Sequence, residues 1–174
     1  MPPAHGATLW LTGLPAAGKT TLAHVVESSL RGQDRMVLRL DGDDLRRGLC
    51  RDLGFSAEDR AENVRRAGEV ACLVAAAGGV TIVALISPYA ADRAAVRARH
   101  AEHGADFIEV HLATPPELCE QRDPKGHWAR ARAGQLPGFT GVDDPYEPPE
   151  APEVTITAEL SPEEAAAEVL ARLG

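Results

Sequence analysis

The sequence is poor in aromatic residues, poor in cysteine and short of positive charge, and each shortage excludes something. Tryptophan, tyrosine and phenylalanine make up 4% of the 174 residues, so an aromatic on a glycine-rich loop calls for a reason beyond core packing. The three cysteines, Cys50, Cys72 and Cys119, lie far apart and form no C-x-x-C pair. That fits neither a disulfide framework nor a zinc site and reads as reduced thiols. The net charge of −8 has the wrong sign for non-specific binding to nucleic acid or to an anionic membrane surface, so an anionic ligand must be met by local cations. No apolar run is long enough to span a bilayer. The first residues lack the basic-then-apolar order of a signal peptide. These readings predict a cytoplasmic protein made of one domain, residues 1–174, long enough to build a full core.

What is present is a rhythm. Short runs rich in Val, Ile and Leu at 8–12, 36–40, 80–86, 107–112 and 154–156 are apolar nearly throughout, as strands buried on both faces are. Helical patterns separate them, near 19–30, 44–49, 57–77, 90–103 and 115–122, with a last one at 162–173. That last helix opens with Ser161 and Glu164 at capping-box spacing and Pro162 at the first helical position. The alternation predicts an α/β fold, a parallel sheet covered by helices. Residues 122–153 break the rhythm with glycines, prolines and basic residues around Trp128, Phe139 and Tyr146. A segment of this length inside a compact domain reads as a mobile Gly/Pro-rich lid.

Gly13-Leu-Pro-Ala-Ala-Gly18-Lys19-Thr20 satisfies G-x-x-x-x-G-K-[ST], after a strand and before a helix. Such a loop curls its backbone N–H groups around phosphate oxygens, and the helix behind it aims its positive end at them. Lys19 is expected to reach the β- and γ-phosphates of ATP and the Thr20 hydroxyl to sit on Mg²⁺, with Gly13, Ala16, Ala17, Gly18 and Thr21 completing the nucleotide cradle. No N-K-x-D guanine-reading motif is present. Small size and a lid favour a small-molecule kinase, which must keep water from a reactive γ-phosphate.

The acceptor is sought at the carboxyl ends of the strands. There "LDGDDLRRGL" places Asp41, Asp43 and Asp44, then Arg46. Carboxylates at that position can organise Mg²⁺ through water or take a proton from an attacking hydroxyl; one of them, at Asp43 or Asp44, can equally be a helix N-cap. Downstream, Phe55 precedes a helix capped by Ser56, on which Arg60 and Asn63 share a face. "LISPYAADR" puts Ser87 in the same crevice, or at a helix cap. The six histidines are scattered, and none is assigned to metal or catalysis.

Together these motifs resemble the adenylyl-sulfate kinases. The resemblance rests on GLPAAGKTTLA, LDGDDLRRGL, LGFSAEDRAENVRR, ISPYAADR, CEQRDPKG, ARAGQLPGFTG and DDPYEPPEAPE, in order along almost the whole chain. It implies a P-loop kinase fold with five parallel strands, a homodimer, and transfer of the ATP γ-phosphate to the 3′-hydroxyl of adenosine 5′-phosphosulfate. It leaves open a separate ATP sulfurylase as partner. Carried onto matching positions, it assigns the acceptor to Asp43, Arg46, Phe55, Arg60, Asn63, Ile86, Ser87, Lys125, Gly138 and Phe139. Phe55 and Phe139 would sandwich its adenine, and Arg46, Arg60 and Asn63 would hold phosphosulfate and ribose. Asp43 is the candidate base or Mg²⁺-water organiser, with Asp41 behind it. Four places depart from the family pattern. Pro15-Ala16-Ala17 stands for Ser-Gly-Ala or Ser-Gly-Ser, Asp44 for Asn, and His127-Trp128 for Leu-Tyr, while Pro137 stiffens the approach to Phe139. The competing readings are a kinase for another hydroxylated metabolite, such as a nucleoside or an antibiotic, and a non-catalytic nucleotide-binding regulatory domain. Intact Arg46, Arg60 and Asn63 speak against the first, and intact Lys19 and Asp43 against the second.

Overall fold

The computed structural model describes residues 6–174; the first five residues of the expected domain lie outside the described part. Five strands, β1 (Ala7–Thr12), β2 (Val37–Asp41), β3 (Val80–Ala84), β4 (Asp106–Leu112) and β5 (Val154–Ile156), form one sheet in the order β2-β3-β1-β4-β5. Every pairing is parallel. Parallel neighbours cannot be joined by hairpins, so helices carry the crossovers. These are α1 (Lys19–Arg31), α2 (Gly42–Arg47), α3 (Ala57–Ala76), α4 (Ala90–Glu102), α5 (Pro116–Arg122), α6 (His127–Arg132) and α7 (Pro162–Leu170).

Both faces of the sheet are covered, and strand alternation divides the core. Leu9 and Leu11 of β1, with Val80, Ile82 and Ala84 of β3, pack with Leu22, Val26 and Leu30 of α1 and Val169 of α7. Trp10 and Val83, one residue out of phase, pack with Val64, Ala67 and Ala71 of α3 and Val96 of α4. Successive strand side chains point to opposite faces, and here each face has its own helices. Helices α3 and α4 approach closely at Gly68, where a Cβ would lie 2.6 Å from Val96 Cγ2. His100 is a core residue. Its Nδ1 meets the Val96 carbonyl at 2.9 Å, which makes Nδ1 the protonated nitrogen and Nε2 the acceptor for the Thr8 hydroxyl at 2.8 Å. The three cysteines are free and buried.

The helix expected from Pro162 carries both halves of its capping box, Glu164 N–H to Ser161 Oγ and Ser161 N–H to Glu164 Oε2. Two expectations are corrected. Strand β3 ends at Ala84 rather than at 86, because the chain leaves the sheet to place Ser87 at φ 42°. The 122–153 segment also contains a helix, α6, which the sequence reading did not anticipate. Six residues between glycines make too short a periodic pattern to read. Asp123 nucleates the helix by accepting the Trp128 and Ala129 N–H groups at 2.9 and 3.0 Å.

Candidate active site

The loop Gly13–Thr20 joins β1 to α1 at the centre of the sheet, at the strands' carboxyl ends. Helix α1 has no acidic residue in its first turn, so nothing competes for the positive end of its dipole. Gly18, its N-cap, takes φ 102°, which a side chain would resist. Ala16 takes φ 66° with a side chain present, a conformation costing roughly 1–2 kcal/mol in an L-residue. The fold retains it because both neighbours are tied. Ala17 donates its N–H to Leu14 O at 3.1 Å and accepts the Thr114 hydroxyl at 2.9 Å. Lys19 folds back on the loop, donating to the Gly13 and Leu14 carbonyls at 2.9 and 2.7 Å. Burial pushes its ammonium down to about 8. Thr20 and Thr21 are exposed at the helix start.

The Thr20 hydroxyl donates to Asp41 Oδ2 at 2.8 Å. This pair fits a magnesium ion, which needs one or two protein oxygens and fills its remaining positions with water and phosphate. Among the described residues no group of three or more His, Cys, Asp and Glu could hold a metal alone. Asp41 is also the N-cap of α2, accepting the Asp43 N–H. The cap expected at Asp43 or Asp44 is therefore at least two positions earlier, and both of those carboxylates project from the first turn, exposed. Asp43 pairs with Lys125 across the site. That hydrogen bond holds its carboxyl below the usual range, which makes Asp43 a weaker base than a free carboxylate. Lys19 and Lys125 are the only lysines in the chain, and both stand here.

On the acceptor side, Arg46 and Arg60 already hold protein partners. The Arg46 guanidinium lies 4.1 Å above the Phe55 ring and donates to Leu53 and Gly54 carbonyls. Burial and the neighbouring Arg60 lower its pKa. Phe55 is 61% exposed, held out as a platform. Arg60 is buried and fully engaged: Nε donates to Phe55 O, Nη1 to Thr140 Oγ1 and Nη2 to Gly138 O. It thus ties the loops of both aromatic platforms together instead of standing free for an anion. One turn along α3, Asn63 is 4% exposed, and its Nδ2 is buried without a partner. A buried donor left unpaired costs about 1–3 kcal/mol and demands a reason.

Ile86 and Ser87 follow β3. Thr12 Oγ1 donates to Ile86 O at 2.7 Å. The Ser87 hydroxyl, 3% exposed, accepts from Trp10 Nε1 and donates to Leu85 O, with no carboxylate or imidazole among its partners to activate it as a nucleophile. Across the crevice the lid is docked. Trp128 is fully buried, donates Nε1–H to Pro15 O at 2.9 Å, and meets the Phe139 ring edge-on at 5.3 Å. At about 25 cal/mol per Å² and roughly 150–250 Å² per tryptophan, its burial is worth about 4–6 kcal/mol before entropy is counted. Gly138 takes φ 70°, and Asp143 accepts the N–H groups of Gly138 and Phe139. Sequence reasoning missed Trp10 and Thr12 of β1, Arg93 of α4 and Thr140 of the 122–153 segment, whose polar atoms brace the site. The available signal was the polar residues within β1, since a buried hydroxyl or indole N–H has to find a partner.

Comparison with known proteins adds to this geometry. A family model described as adenylylsulphate kinase matches residues 5–157. The adenylyl-sulfate kinase of Acaryochloris marina is 51% identical over 163 residues, covering 93% of this chain and 78% of that protein. The bifunctional enzyme CysN/CysC of Mycobacterium tuberculosis is 48% identical over 97% of this chain, which spans only 27% of that longer protein. The solved M. tuberculosis APS kinase CysC in complex with AMPPNP and APS superposes with a TM-score of 0.95 at 48% identity, covering 98% of this chain and 99% of that one. A phosphate loop, an Asp–Lys pair and two aromatic loops braced by one arginine thus sit on a sheet that matches those relatives over nearly its whole length, and the chain belongs to the adenylylsulphate kinase family.

Proposed function

We propose that the protein is an adenylyl-sulfate kinase, transferring the γ-phosphate of ATP to the 3′-hydroxyl of adenosine 5′-phosphosulfate and releasing 3′-phosphoadenylyl sulfate and ADP. The observation that carries the reading is the unpaired, buried Nδ2 of Asn63, a donor awaiting a polar ligand one turn from Arg60. The solved relative, described as a complex with AMPPNP and APS, supports the same substrates.

Each residue then has a task in a reaction governed by positioning and charge. The loop N–H groups and the α1 terminus hold the phosphates. Lys19 exchanges its two carbonyl partners for phosphate oxygens, and its charge follows the γ-phosphate during transfer. Thr20, with Asp41 through water, would hold Mg²⁺, which supplies charge neutralisation on the β- and γ-oxygens. Asp43, paired with Lys125, orients the ribose hydroxyl and takes its proton late, as the new P–O bond forms. Phe55 and Phe139 bound the adenine. Arg46, Asn63, Ile86, Ser87, Lys125 and Gly138 line the rest of the acceptor, with Arg60 fixing the aromatic loops. Ser87 takes part by contact, not as a phosphorylated intermediate.

We place all of this in a single domain whose lid is residues 122–153, working in the cytoplasm as a homodimer and fed by an ATP sulfurylase. In support of a non-membrane setting, no helix among the described residues is long and apolar enough to cross a membrane. The deciding experiment incubates the protein with Mg-ATP and adenosine 5′-phosphosulfate and resolves the products by chromatography and phosphorus NMR. A 3′-phosphate on the adenylyl sulfate with equimolar ADP is expected. ATP binding with an untouched acceptor would overturn the assignment and turn attention to Asp44 and Trp128.

A further inference from the structure

Arg93, on α4, is 2% exposed and takes no part in the chemistry above. Its side chain reaches three separate segments. Nε donates to Glu109 Oε1 of β4 at 3.0 Å, Nη1 to the Ser87 carbonyl at 2.6 Å, and Nη2 to the Glu147 carbonyl at 2.6 Å. Burying a guanidinium is expensive, and a well-packed apolar residue commonly serves stability as well or better. The two carbonyls show what the charge does here.

Ser87 is a non-glycine at φ 42°, and Pro88 after it narrows its options further. Residues held in such regions persist only where the surroundings over-determine them. Trp10 holds the Ser87 hydroxyl and Thr12 the Ile86 carbonyl. Arg93 holds the carbonyl of Ser87 itself.

Glu147 lies in the C-terminal part of the lid, and its backbone and carboxylate are tied to Pro88 and to the first turn of α4. Its N–H donates to Pro88 O at 2.8 Å and its carboxylate accepts the Ala90 N–H at 2.7 Å, while its carbonyl meets Arg93. Beside it, the Tyr146 hydroxyl bonds to Thr12 Oγ1 at 3.0 Å. Because the Thr12 hydroxyl's one proton goes to Ile86 O, Tyr146 is the donor. One guanidinium therefore fixes both the strand end that faces the acceptor and the C-terminal part of the lid.

We propose that Arg93 is a positioning residue for acceptor specificity. It locks the Ile86–Ser87 backbone to the lid at Glu147, so that the acceptor wall and the lid keep one relative geometry. The proposal rests on the function proposed above only for the identity of the substrate whose binding responds.

The test compares Arg93→Met, Arg93→Lys and Arg97→Met. Arg97 shares Glu109, at 3.1 Å, and holds Glu153, so Glu109 keeps a cation when Arg93 is replaced. Arg97 does not bond Ser87. Losing charged hydrogen bonds at Arg93→Met is expected to raise KM for adenylyl sulfate about tenfold or more, with KM for ATP changed about twofold at most. Amide exchange should quicken together around Ser87 and at Glu147. Arg93→Lys, which keeps the charge but lacks the fork, should shift in the same direction by less, and it replaces the Met variant should that one not fold. Arg97→Met should show neither the KM split nor the paired exchange. Equal changes in both KM values, or exchange that quickens at only one of the two segments, would overturn the proposal. Wild-type protein that leaves adenylyl sulfate untouched would instead overturn the function, and the exchange comparison would still decide whether Arg93 ties the two segments.

Discussion

The two halves of the site are built in different ways. The phosphate half is eight consecutive residues, Gly13 to Thr20, between one strand and one helix. The proposed acceptor half is collected from Asp43, Arg46, Phe55, Arg60, Asn63, Ile86, Ser87 and the lid, and its members touch through bonds between residues up to 82 positions apart, as from Asp43 to Lys125. A contiguous loop needs only local backbone geometry to be right. A dispersed pocket depends on every element that positions it, so it is the half where a remote change, or a family departure such as Asp44 or Trp128, alters function without altering the fold. The two halves meet at Trp128, whose indole ties the lid to Pro15 of the phosphate loop.

Lys19→Ala gives the largest expected effect and strikes the local half alone. Removing a charge that follows the transferring phosphate should lower kcat by about 10²–10³, with the melting temperature retained, because Lys19 bonds only loop carbonyls in the free protein. Turnover near wild type would remove Lys19 from the mechanism. Phe139→Ala probes the other half. Loss of a base-stacking ring should weaken acceptor binding by about 1–3 kcal/mol, measured by calorimetry against both substrates. An equal loss for ATP would mean that the Trp128 contact couples the halves more tightly than their construction implies.

A pH titration sharpens the contrast. The Lys19 ammonium is lowered to about 8 in the free protein, so raising pH through that value neutralises it. Phosphate contact favours the charged form, so kcat/KM for ATP should fall about tenfold per pH unit above it. Adenylyl-sulfate binding to the free protein should stay flat over the same range. The smallest effect is expected at Ala16→Gly. Relief of the φ 66° strain against the greater freedom of an unfolded glycine should leave about 1 kcal/mol of stabilisation or less, a rise of a few degrees at most in a thermal melt. A lower melting temperature would mean that Ala16 packs more than it strains.

Much was legible beforehand, for identifiable reasons. The five strands read as apolar runs because a parallel sheet buries both faces, and α7 read from its capping box because that signal is carried by adjacent residues. The cap of α2 falls at Asp41 rather than at Asp43 or Asp44 because the three are alike in chemistry, and only backbone geometry selects which carboxylate meets which N–H. Arg60 was read only as sharing a helix face with Asn63, toward a ligand. Its donors go to Gly138 and Thr140, which lie next to it only once the lid is folded back. Arg93 looked like one more arginine on a polar helix.

By itself, the sequence determined the sheet, the phosphate loop with its Lys and Thr, and the family resemblance, because each is written in neighbouring residues whose spacing follows from strand, turn and helix geometry. Only the tertiary structure decided that the lid carries a helix anchored by Trp128 and that Arg60 braces two aromatic loops. It alone showed that Asp43 pairs with Lys125 and that Ser87 is pinned by Trp10 and Arg93. Those are pairings across long stretches of chain, and a side chain's partner there is fixed by the packing of elements against one another, which no local pattern encodes.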